Sequence, residues 1–127
     1  MFIVNSDATI YATRGDIGSF EVGIKTSEST DYVFKSGDKV RFNVHERNHP
    51  ERVVLLKEVV VESETTTVVI TLGRDDTKFG KVINKPCDYW YEVELNPDTL
   101  PQTFIGYDED GPKIFRLFPE GADELCE

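Results

Sequence analysis

Cysteine, histidine and basic charge are all scarce in this chain, and each scarcity closes off a class of function. Two cysteines, Cys87 and Cys126, cannot build a disulfide framework. They are expected as free thiols, a single Cys87–Cys126 bridge being the alternative. The two histidines share one short stretch, and no Gly-x-Ser-x-Gly elbow or glycine-rich phosphate cradle accompanies them. Lys and Arg number 14 against 24 Asp and Glu, a net charge of −10. Without a Lys/Arg cluster there is no face for phosphates, which disfavours nucleic acid and leaves a cationic partner surface as the better match. No apolar run approaches the roughly 20 residues of a membrane span. Met1–Asp7 lacks the basic start and apolar core of a secretory signal, so the expectation is a chain that is cytoplasmic at synthesis, with no membrane partner. A sustained helical period is missing too.

What the chain does have is a supply of apolar residues arranged with period two. Hydrophobic residues make up 39%, including eight Phe and five Tyr, enough for one packed core in 127 residues. The division expected is a single β domain over 1–118 and an acidic C-terminal tail over 119–127. Val40, Phe42 and Val44 alternate with Lys39, Arg41 and Asn43. Tyr89, Tyr91, Val93 and Leu95 alternate with Trp90, Glu92 and Glu94. Each pattern is that of a strand with one face in the core.

Turn residues cut the rest into further strands: Thr9–Thr13, Gly18–Thr26, Tyr32–Phe34, Val53–Val61, Thr66–Leu72, Gln102–Tyr107 and Lys113–Phe118. Val53–Val61 is apolar on both faces and reads as a central strand. Asp75–Phe79 is the sole candidate for a helical turn, with Asp75 or Asp76 as cap and Gly80 as stop. Eight or nine strands at this spacing predict an all-β sandwich or barrel.

Four short motifs carry candidate chemistry. His45-Glu46-Arg47-Asn48-His49 matches the H-E-x-x-H signature of zinc hydrolases, in which a helix aims both imidazoles at one metal. Here it follows a strand, and Pro50 pushes His49 out of the helical region. A polar loop between the Val40 and Val53 strands is therefore expected, any third ligand having to come from Glu58, Glu62 or Glu64. Asp108-Glu109-Asp110-Gly111 resembles part of a calcium loop, but its register puts Gly106 and Leu117 at ligand positions, so a hairpin tip is expected. Arg14-Gly15-Asp16 is an integrin-type tripeptide, but recognition of that kind needs an extracellular setting, so a Gly-Asp turn between two strands is expected. Trp90, with Tyr89, Tyr91, Tyr107 and Phe104, raises a sugar-stacking surface; alternation sends Trp90 to the face opposite Tyr89 and Tyr91, so at most one set is exposed, and core packing is the expected role.

The order of these pieces resembles a known family. Arg14-Gly15-Asp16, Phe20-x-Val22-x-Ile24, Gly37-Asp38-x-Val40-x-Phe42-x-Val44, Asp76-Thr77, Tyr89-x-Tyr91-x-Val93-x-Leu95 and Phe115-x-Leu117 follow one another as in tail and baseplate proteins of phages and prophages of Gram-positive bacteria. The likeness is to the N-terminal immunoglobulin-like domain of baseplate upper proteins, over Thr9–Phe118, and omits the long C-terminal portion that attaches a receptor-binding protein. It implies an immunoglobulin-like antiparallel β-sandwich of about eight strands. It also implies a non-enzymatic structural or adaptor module, virion-associated, whose partners are other virion or tail proteins or further copies of itself. No catalytic residue, metal or cofactor follows from it. The alternatives are a zinc-dependent hydrolase on His45, Glu46 and His49, and a carbohydrate-binding module on Trp90. The candidate contact elements are His45–Arg52, Ser27–Asp31 and the acidic tail.

Overall fold

Residues 1–25, 28–80 and 85–120 are described by the structure, a computed structural model. Nine strands form among them: β1 (Phe2–Val4), β2 (Ile10–Thr13), β3 (Gly18–Val22), β4 (Lys39–Glu46), β5 (His49–Val60), β6 (Val68–Leu72), β7 (Cys87–Leu95), β8 (Gln102–Ile105) and β9 (Lys113–Phe118). Seven make one sheet in the order β1-β2-β9-β7-β4-β5, with β8 taking over from β9 beside the second half of β7. β3 and β6 pair as a separate two-stranded sheet. The fold is an all-β sandwich, without a helix among the described residues.

Strict alternation makes β4 and β7 its spine. Val40 faces Leu95, Phe42 faces Val93 and Val44 faces Tyr91 across the two strands, and all six side chains are buried. Val22 of β3 and Val68, Ile70 and Leu72 of β6 close over them, and Phe20 meets Phe42 edge-on at 5.2 Å. Removing each such side chain from water contributes about 1.5–3 kcal/mol. Gly18 has a packing reason: the ring of Phe2 occupies the space a Cβ would need. Polar bonds lock the start of β4. Asp38 accepts from the Lys35 N–H (2.9 Å), the Tyr32 hydroxyl (3.0 Å) and the Asn96 amide (3.2 Å), and Asn96 Oδ1 accepts from the Lys39 N–H at 2.9 Å.

Several expectations change. The sheet is mixed, because β2 runs parallel to β9, Ile10 opposite Phe115 and Thr13 opposite Phe118. Such a pairing joins distant parts of the chain and leaves no local signature. β1 is an added strand, too short for a period to show. Tyr32–Phe34 forms no strand; Phe34 makes one isolated bridge to Thr65 and buries its ring. Residues 74–77 form turns instead of a helical turn, with Asp76 accepting from the Gly73 N–H at 2.7 Å. β5 is not central. Among the described residues it pairs with β4 alone and stands at the edge of the sheet. The acidic tail from residue 121 and Cys126 lie outside the described residues, as do Thr26 and Ser27.

Candidate functional site

The H-E-x-x-H pentapeptide is a paired hairpin tip, not a loop. β4 runs to Glu46, Arg47 and Asn48 make the two-residue turn, and β5 begins at His49, which pairs with Glu46. Asn48 takes a φ of 63°, the left-handed conformation that asparagine tolerates well. The β4–β5 register shifts on either side of His45, with the extra residues on β5, while His45 stays across from Trp90 on the outer face and is buried there. His45 Nδ1 lies 3.0 Å from the Glu46 carbonyl, while His49 is exposed beside Glu51 at 3.2 Å. The two imidazoles thus have different surroundings, and no helix presents them to one ion. Glu58 is held by Arg41 at 2.6 Å. No group of three or more His, Cys, Asp or Glu side chains among the described residues is placed to hold a metal.

The same hairpin borders an aromatic corner on the outer face of the large sheet. Alternation along β7 buries Tyr89 and Tyr91 and turns Trp90 outward, directly across from His45. Their rings meet at 75° with centroids 6.5 Å apart. Tyr107, 69% exposed in the β8–β9 connection, packs against the indole at 5.7 Å and 61°. Phe104 instead packs against the core. Two hollows flank Trp90. One, of about 400 Å³, is bordered by His45, Pro50, Glu92, Tyr107 and Lys113; the other, of about 510 Å³, by Arg47 and Ile114. Asn48, Trp90 and Pro112 line both. Alternation revealed the face of Trp90, but the burial of His45 on that face depends on neighbours from other strands, which have no sequence signal here.

The remaining motifs are tied into the fold. In Arg14-Gly15-Asp16, Arg14 donates to the Phe79 carbonyl at 2.6 Å, and the Gly15 N–H donates to Thr77 Oγ1 at 3.0 Å. Thr77, fully buried, donates in turn to the Asp16 carbonyl at 2.9 Å. The Asp16 carboxylate pairs with the Met1 ammonium. Asp108 and Gly111 close the hairpin tip before β9, and Lys113 neutralises Asp108 at 2.8 Å. The contact with Lys113 holds the Asp108 carboxyl below its usual range. Burial, helped by a hydrogen bond with Cys87, pushes the Tyr89 hydroxyl up to about 12. Burial likewise raises Tyr91, whose hydroxyl donates to the Ala8 carbonyl. Both tyrosines stay neutral near pH 7 and serve the core.

The second conspicuous surface is the free edge of β5. This strand is 12 residues long and exposes Val53 (46%), Leu56 (49%) and Val60 (56%) to solvent. The Ser27–Asp31 element, described from Glu28 onward, offers no comparable apolar area: its residues 28–31 are all polar, and Asp31 pairs with the neighbouring Lys25 at 2.6 Å. No helix among the described residues is long and apolar enough to cross a membrane. Comparison with protein-family models, curated proteins and solved structures finds no match for this chain.

Proposed function

We propose that this protein is a non-enzymatic structural module of a phage or prophage tail or baseplate that acts by docking to further copies of itself through β5. The open edge of β5 carries this reading. A long strand with unpaired backbone groups and exposed apolar side chains is a template for strand addition. Other edge strands avoid this by being short or charged, and β5 does neither over Val53–Leu56.

A second copy is the occupant that suits it. Antiparallel pairing of β5 with itself about a two-fold axis at Leu55 sets Arg52 against Glu58 of the second copy, and the reverse. Opposite charges meet twice in one register, and the contact closes. The order of turn and strand motifs shared with tail and baseplate proteins supplies the setting.

Light scattering on the purified chain tests the docking. A defined dimer is expected, with Leu56→Lys shifting it to monomer. A monomer at every concentration overturns the reading. The genes beside its own test the setting: tail or capsid genes support it, and an isolated metabolic operon counts against it.

A further inference from the structure

We propose that the corner between Trp90 and Tyr107 binds a neutral pyranose sugar, with the sugar ring against the indole and one of its hydroxyls donating to His45 Nε2. The proposal rests first on His45. Its ring is only 5% exposed and borders the hollow beside Trp90. A carbonyl oxygen can only accept, so the Nδ1 facing the Glu46 carbonyl carries the proton. In the neutral ring Nε2 is then an acceptor, and no described residue donates to it. The hollow leaves this nitrogen open to a hydroxyl donor from outside the chain.

The ligand class follows from what surrounds these atoms. A pyranose has an apolar face of C–H groups and a rim of hydroxyls, the pairing of surfaces that a flat aromatic wall beside polar atoms accommodates. A cation fits less well despite the net charge of −10. Glu92 is the one carboxylate among the described residues that border the hollows, set against Arg47 and a Lys113 that Asp108 already holds. An apolar ligand would exclude water from Nε2 without replacing its donor.

Trp90 is the single tryptophan, so its emission reports on this corner and nothing else. The experiment titrates the full chain with the methyl glycosides of glucose, galactose, mannose and N-acetylglucosamine. At least one is expected to give a saturating change in emission at millimolar concentration. Tyr107→Ala, at an exposed loop position, is expected to weaken that binding about fivefold while leaving thermal unfolding unchanged. Saturation-transfer NMR on Trp90→Phe gives a second readout, in which the signals of the bound sugar fall. No saturating response to any glycoside overturns the proposal, as does equal affinity in Tyr107→Ala. A response to N-acetylargininamide with none to the glycosides also overturns it, in favour of a cation site. The titration is repeated in Leu56→Lys, so loss of self-association and loss of sugar binding are read separately.

Discussion

β4 and β5 are paired along most of their lengths, yet they solve opposite problems. β4 is bonded on both edges, and its inward Val40, Phe42 and Val44 are wholly buried. Two of its outward side chains are answered as well. Lys39 reaches Asp98 at 2.8 Å, and Arg41 bonds both Glu58 and Asp98. β5 shares this partner but has one open edge, and its valines and leucines face both the core and solvent. Side-chain pattern therefore reports how many faces are apolar, while only pairing decides which of them are covered. A strand that is apolar on both faces is either central or waiting for a neighbour.

The contrast can be broken most severely on the β4 side. Phe42→Ala empties the point where Phe20, Tyr91 and Phe115 converge, and should cost about 3–5 kcal/mol in urea unfolding. A loss below about 1 kcal/mol, the scale of an ordinary substitution, would mean that β4 is not the spine. Next comes the lock at its start. Asp38→Asn should cost about 1 kcal/mol near pH 7, because three donors lose a charged acceptor.

The pH dependence sharpens this second test. Burial pushes the Asp38 carboxyl up, but the bonds from the Lys35 N–H, Asn96 and Tyr32 outweigh it, so its folded value lies below the ordinary 3.8. The stabilisation is thus complete above the unfolded value and is lost as pH falls through the lower, folded one. Acid unfolding curves of the two proteins should converge below that point and separate above it. A gap that stays constant across pH would remove Asp38 from the account.

The smallest effect on folding is expected at β5. Leu56→Lys, measured in dilute monomer, should change unfolding by no more than about 0.5 kcal/mol while abolishing self-association. A destabilisation like that of Phe42→Ala would show that Leu56 belongs to the core, and the comparison between the strands would fail.

The sequence was most legible where local period and burial coincide. Lys113–Phe118 has the same ends in structure as in the pattern, and β4 and β7 differ from theirs by one or two residues. Legibility stopped where partners are distant. The parallel β2–β9 pairing and the edge position of β5 depend on contacts across most of the chain, which no short window contains. The candidate site divides in the same way. Trp90 faces outward because its neighbours alternate, a local fact. His45 is buried beside the Trp90 ring of the neighbouring strand, and Tyr107 reaches the indole through a loop, both set by the assembled sheet.

The parallel contact between β2 and β9 has a consequence for how the molecule is made. β9 is the last described strand, and it lies between β2, near the beginning, and β7. A nascent chain emerging from the ribosome can assemble the β4–β5 hairpin early, but β1 and β2 have no place to join the sheet until Phe118 is clear of the exit tunnel. Until then the longest apolar strand is already formed and unprotected, so the interval before β9 arrives is when the growing polypeptide is most exposed to clumping with its siblings.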